Sequence, residues 1–130
     1  MPLVRIDIVK GVRSPEQIKK LADVVQRVLL DHFNAPPRDR YQIITQHEDY
    51  EIICEDTNLG FTRSRELVVI QIFQQGRTDE QKKTTYKHLF ENLSRYCGVS
   101  GDDLIITCME NTQADWSFGT GDAQFLTGRL

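Results

Sequence analysis

Leu3-Val4-Arg5-Ile6-Asp7-Ile8-Val9 and Leu67-Val68-Val69-Ile70-Gln71-Ile72-Phe73 decide how this chain folds. Each opens one of two halves that align without a gap at a shift of 64 residues, setting Leu3 on Leu67, Val4 on Val68, Ile6 on Ile70 and Ile8 on Ile72. The identities continue with Arg13 on Arg77, Glu16 on Glu80, Gln17 on Gln81, Lys19 on Lys83, Leu29 on Leu93 and Asp39 on Asp103, where chance would supply about two or three. The pattern is that of an ancient duplication. The first stretch alternates apolar and polar residues at its centre and the second is a β-branched run, so both read as strands.

Working outward, each strand is followed by a helix signal. In the first half Ser14 takes the N-cap position, Pro15 the first helical position and Gln17 completes a capping box, while Ile18, Leu21, Ala22, Val25, Val28, Leu29 and Phe33 recur at helical spacing. In the second half Thr78 caps, Gln81 lies three residues on, and Leu89, Phe90, Leu93 and Cys97 supply the apolar face up to Gly98, a natural left-handed stop. Polar turns at Asn34 to Arg40 and Val99 to Asp103 lead into strands Tyr41 to Gln46 and Leu104 to Met109. Each half is therefore β-α-β, and its return connection demands a parallel strand pair with a right-handed crossover. Two such units side by side make an α+β, two-layer α/β fold: a four-stranded mixed sheet with both helices on one face. The uncovered face then predicts copies packing sheets together in a closed oligomer.

The chain has room for one domain over 1–130, with repeats at about 2–46 and 66–110. Two stretches fall outside the repeats: His47 to Arg65, with Tyr50-Glu51-Ile52-Ile53-Cys54 as a short strand candidate, and the tail 111–130. The tail holds Trp116, Phe118 and Phe125 among several glycines, which suits a packed wall or subunit clasp better than a solvated end.

With 16 Lys+Arg against 19 Asp+Glu and no basic block, nucleic acid is a poor partner. No apolar run reaches the ~18 residues of a membrane span, and no secretory signal opens the chain, so a cytoplasmic location is expected. Cys54, Cys97 and Cys108 are an odd number without metal-ligand spacing and read as reduced thiols. His32, His47 and His88 likewise form no ligand motif. Gly119-Thr120-Gly121 lacks the third glycine and the strand-to-helix setting of a dinucleotide fingerprint, and no phosphate-binding GxxxxGK[ST] occurs. Nucleotide cofactors are not expected.

Three residues invite chemistry. Pro2, once Met1 is removed, would be a secondary amine at the start of a strand, able to act as acid, base or carbonyl nucleophile near neutral pH. Arg77 follows the third strand just before a helix cap, where a guanidinium can grip a carboxylate. Asp39 sits in Pro37-Arg38-Asp39-Arg40, whose arginines would keep it ionised in a salt-bridged turn, and its duplicate Asp103 supports that structural reading.

Met1-Pro2-Leu3, Asp39-Arg40-Tyr41-Gln42, Gln46-His47, Glu55-Asp56-Thr57 with Leu59-Gly60, Arg63-Ser64 and Glu80-Gln81-Lys82 resemble the tautomerase superfamily. Ala114-Asp115-Trp116-Ser117-Phe118-Gly119 with Phe125-Leu126-Thr127-Gly128 is more specific, and resembles the malonate semialdehyde decarboxylase family within it. The resemblance implies a tautomerase-like homotrimer that uses no cofactor or metal, with Pro2 as the catalytic amine, an active-site aspartate at Asp39 and arginines at the end of the third strand. That family carries two arginines separated by one residue, where this chain reads Gln75-Gly76-Arg77. Only the second is present, and a glutamine amide offers neutral hydrogen bonds without charge. The implied activity is decarboxylation of a small β-keto acid, with Arg77 and Gln75 on the carboxylate and Trp116, Phe118 and Phe125 excluding water. The alternatives are a hydratase, dehalogenase or tautomerase acting on a small unsaturated or 2-oxo acid, or a non-catalytic trimer.

Overall fold

A computed structural model describes residues 2–130. Four strands, β1 (Leu3–Val9), β2 (Tyr41–His47), β3 (Val68–Gln74) and β4 (Leu104–Glu110), form one sheet in the order β2-β1-β3-β4. β1 pairs in parallel with β2 and β3 with β4, while the central β1·β3 pair is antiparallel, joining the two β-α-β units. Helices α1 (Pro15–His32) and α2 (Asp79–Cys97) pack against each other over one sheet face.

Both capping boxes form: Ser14 accepts from the Gln17 amide at 3.2 Å and Thr78 from the Gln81 amide at 3.1 Å, and each glutamine side chain returns a bond to the cap. Gly98 ends α2 at φ 67°, a conformation that costs glycine nothing. Alternation on the central strands points Val4, Ile6 and Ile8, with Val68, Ile70 and Ile72, at the helices, where Leu21, Val25, Leu29, Phe33, Leu89 and Leu93 complete a dry core.

Two sequence expectations are corrected. Phe90 is 43% exposed; the buried stripe of α2 runs through Thr85, Leu89 and Leu93, with the Thr85 hydroxyl donating to the His32 carbonyl at 3.4 Å. Phe90 instead lies over the glycine of the turn that follows α2, where a Cβ on Gly101 would come within 2.9 Å of the ring. Tyr50 to Cys54 is not a strand. Asp49–Glu51 is a single 3-10 turn closed by the Glu48 amide donating to the Glu51 carboxylate at 2.9 Å, and Tyr50 and Ile53 point outward. A local side-chain bond satisfied that backbone before any strand edge did.

The sheet face away from the helices is only partly covered. Tyr41, Ile43 and Met109 stand exposed on it, beside a hydrogen bond between His47 Nε2 and Asp7 Oδ1 at 2.6 Å. No helix among the described residues is long and apolar enough to cross a membrane.

Candidate active site

The end of the sheet where β1 begins is the end where β3 finishes. Leu3 pairs with Phe73 across the antiparallel ladder and with Tyr41 across the parallel one, so one further step of register sets Pro2 between Gln74 and Arg40. Pro2 is buried, on the helix-facing parity of Val4 and Ile6. Met1, and with it the expected exposure of the Pro2 amine, lies outside the described residues.

β3 ends at Gln74 and the chain reverses through Gly76, at φ 71°, so that Arg77 comes back over the end of α1. Its guanidinium is fixed by three main-chain carbonyls: Nε donates to Phe33 at 2.9 Å, Nη1 to Gln75 at 2.6 Å and Nη2 to Asn34 at 3.2 Å. It also lies 4.9 Å above the fully buried Phe33 ring. Three of its five N–H groups are thereby used, and two are left for a ligand. Burial lowers its pKa from the ordinary value while the nearby Asp39 charge opposes the shift, and a guanidinium so placed stays cationic at neutral pH. Gln75, one residue before the reversal, is half-buried.

The arginine that reaches Asp39 electrostatically is Arg77, and the expected salt bridge with the flanking arginines does not form. Arg40 turns away to Asp23 and Gln42, at 2.8 Å each, because the β2 alternation sends it across to α1. Asp39 Oδ2 is buried and meets no donor among the described residues. The duplicate shows what a purely structural aspartate looks like in this turn: Asp103, whose charge likewise reaches its own arginine, Arg13, accepts from both the amide and the hydroxyl of Ser64 at 2.6 Å. The two copies have diverged, one into a filled bracket and one into a half-buried carboxylate with one bare, buried oxygen. A desolvated carboxylate oxygen without a partner costs about 1–3 kcal/mol or more, which a fold does not keep without a use.

The tail brings its aromatics to the same end. Phe118 stacks on Trp116 at 5.3 Å and on Tyr41 at 5.7 Å, and Phe125 meets it edge-on at 5.6 Å. Gln124, buried in the one-turn helix α3 (Gln124–Thr127), ties the loop together by accepting from the Phe118 amide and donating to the Gly119 carbonyl. Trp116 donates to Asn111 at 2.8 Å and, with Leu3, Arg5, Ile43 and Phe73, bounds a concavity of about 300 Å³ beside the start of β1.

Three residues of this end escaped sequence reading. Phe33 supplies the bed for Arg77, and Tyr41 completes the aromatic stack. Gln74 is fully buried, with both its amide oxygen and nitrogen lacking partners among the described residues. A glutamine in the last core-facing position of an otherwise β-branched strand was the available signal.

A model of the tautomerase enzyme family matches residues 39–119, and a second tautomerase model matches residues 2–62. The chain is 46% identical to a probable tautomerase, YrdN, of Bacillus subtilis (strain 168), over the whole of both chains. Among solved structures it resembles a malonate semialdehyde decarboxylase studied for its decarboxylase and hydratase activities, at a TM-score of 0.93 and 44% identity over 98% of each chain. A fused 4-OT described as a symmetric trimer shares the fold at a TM-score of 0.78 and 19% identity, covering 98% of this chain and 99% of that one.

Proposed function

The chain belongs to the tautomerase enzyme family, and from that premise we propose that it is a carbon–carbon lyase that decarboxylates a small β-keto acid through the Pro2 amine without a cofactor, malonate semialdehyde giving acetaldehyde and carbon dioxide. The observation that carries this reading is a half-buried Asp39, its buried Oδ2 without a donor among the described residues, whose charge acts on an arginine that main-chain carbonyls hold in place. Likeness to a protein named for that reaction supports the substrate. The half-exposed apolar sheet face supports a homotrimer.

In this reading Arg77 holds the substrate carboxylate with its two spare donors and sets the carbon–carbon bond in line with the carbonyl. Pro2 takes up the electron pair, either as a protonated amine polarising the carbonyl oxygen or, after loss of water, as an iminium. The bond to the carboxylate breaks, carbon dioxide leaves, and the enol or enamine carbon is protonated; hydrolysis releases acetaldehyde in the iminium route. Asp39 orients a water or the amine. Trp116, Phe118 and Phe125 exclude bulk water and favour loss of charge from the carboxylate. The bare Asp39 oxygen also supports a second reading, hydration of a small unsaturated acid, with Asp39 activating water while Pro2 protonates the adjacent carbon.

The test is proton NMR of malonate semialdehyde incubated with protein whose intact mass confirms loss of Met1. Acetaldehyde is expected. Its absence, with turnover of an unsaturated acid instead, would move the assignment to the hydratase.

Two variants probe the parts. Gln75→Arg adds a charged donor beside the substrate carboxylate and is expected to lower KM about tenfold, as a neutral hydrogen bond becomes charge-assisted; an unchanged KM in steady-state kinetics would remove Gln75 from the site. Asp39→Asn and Asp103→Asn should separate function from structure. The first is expected to keep or raise the melting temperature while slowing turnover about tenfold, the second to cost about 2 kcal/mol through its two Ser64 bonds with turnover retained. Thermal melts paired with initial rates read both.

A further inference from the structure

Shifting the active-site end by 64 residues leads to a second site at the opposite end of the sheet. Arg13, Gln17, Lys20, Glu66, Tyr96 and Cys97 line a concavity of about 200 Å³, and the positions they duplicate are Arg77, Gln81, Thr84, Pro2, His32 and Phe33. Because β1 and β3 run antiparallel, the two sites sit at opposite ends of the central strands, about 20 Å apart at ~3.4 Å per residue.

The copies differ in a way that opens the second one. Phe33 fills the space beneath Arg77, whereas Cys97 stands at the corresponding place and is much smaller. Arg77 uses three nitrogens on carbonyls. Arg13 makes a single bond, Nη2 to the Glu66 carbonyl at 2.9 Å, and its Nη1 is buried without an acceptor among the described residues. Lys20 lines the same hollow, and neither cation forms an ion pair among the described residues. Burial raises the Cys97 thiol pKa, and both cations are near enough to oppose that rise in part. Two unpaired cations, one with a desolvated N–H group lacking an acceptor, are a poor solution for an empty surface dent and a good one for an anion. Glu66 lines the hollow with them and Asp103 also acts on Arg13, but the Asp103 oxygens are engaged by Ser64, and neither acid supplies an acceptor to the buried Nη1.

We propose that this hollow is a second binding site, taking the carboxylate of a small aliphatic acid on Arg13 and Lys20. It binds without turning over, because Glu66 stands where the first copy has Pro2 and offers no amine. The site is independent of the decarboxylase assignment.

Cys97 reports on it. Alkylation by iodoacetamide at mildly alkaline pH, resolved by peptide mass spectrometry with Cys54 and Cys108 as internal references, measures access to the hollow. Propionate at ten times its Kd is expected to slow Cys97 labelling about tenfold, with the protection lost in Arg13→Gln, weakened in the solvent-facing Lys20→Gln and intact in Arg77→Gln. Labelling unchanged by propionate, or protection surviving in both Arg13→Gln and Lys20→Gln, would overturn the site. Equal protection by inorganic phosphate at matched ionic strength would overturn the carboxylate assignment. Loss of protection in Arg77→Gln alone would place the ligand at the other end of the sheet.

Discussion

Pro2→Ala is expected to lower turnover of the β-keto acid by about a hundred- to ten-thousandfold, the range spanned by a positioned acid–base group. The substitution keeps a primary amine at the N-terminus but removes the ring that fixes it at the start of β1 and the secondary amine that forms an iminium readily. A chain extended by one residue before Pro2 should be as inactive as the variant, since its nitrogen is then an amide with neither proton nor lone pair to give. The two together distinguish the amine from the side chain. Stopped assays on proteins of confirmed intact mass read the loss, and a Pro2→Ala protein as active as its parent would sink both forms of the mechanism. Gln74 gives the experiment a second edge: one step along the register from Phe73, its buried amide is the side chain set across the ladder from Pro2.

Phe33→Ala should be the most damaging change outside the amine. Phe33 is fully buried at the end of α1, and truncating such a ring costs about 3–5 kcal/mol, worth about 15 °C in melting temperature for a chain of this length. The loss would also reach the site. Arg77 stacks on that ring and donates to the same residue's carbonyl, so a collapsed bed should blur the guanidinium and raise KM even at temperatures where the protein remains folded. Differential scanning calorimetry and kinetics well below the transition separate the two effects. Phe33→Leu, which restores most of the volume without the aromatic face, should recover most of the stability and less of the KM.

The architecture was legible because its determinants are local and repeated twice. Capping boxes at Ser14 and Thr78, the left-handed stop at Gly98 and alternation along Val4, Ile6 and Ile8 each act within one turn or one strand, and the gapless duplication cross-checked them. What escaped depends on meetings between distant residues. Phe90 sits beside the buried stripe of α2, which runs through Thr85, Leu89 and Leu93, and packs against Gly101 instead of the core. Asp39 was read through its sequence neighbours, Arg38 and Arg40, whereas its charge acts on Arg77, from the far half of the chain. Pro2, Gln75, Arg77 and the tail aromatics were nameable from motif, but the unpartnered oxygen of Asp39 and the buried amide of Gln74 are properties of packing alone.

The order β2-β1-β3-β4 also says how the chain must find its shape. Among the described residues no strand pairs with a sequence neighbour through a tight turn; partners are as far apart as Leu3 and Tyr41, Val68 and Leu104, or Ile8 and Val68. With no hairpin to zip, the only cheap early structure is helical, and every rung of the ladder waits on closure of a long loop. The capping boxes of α1 and α2 therefore do more than finish helix ends: they supply local order to a search that the sheet itself cannot begin. Weakening Ser14 or Thr78 should slow folding, and during that delay the bare apolar strands β1 and β3 would be available to other chains.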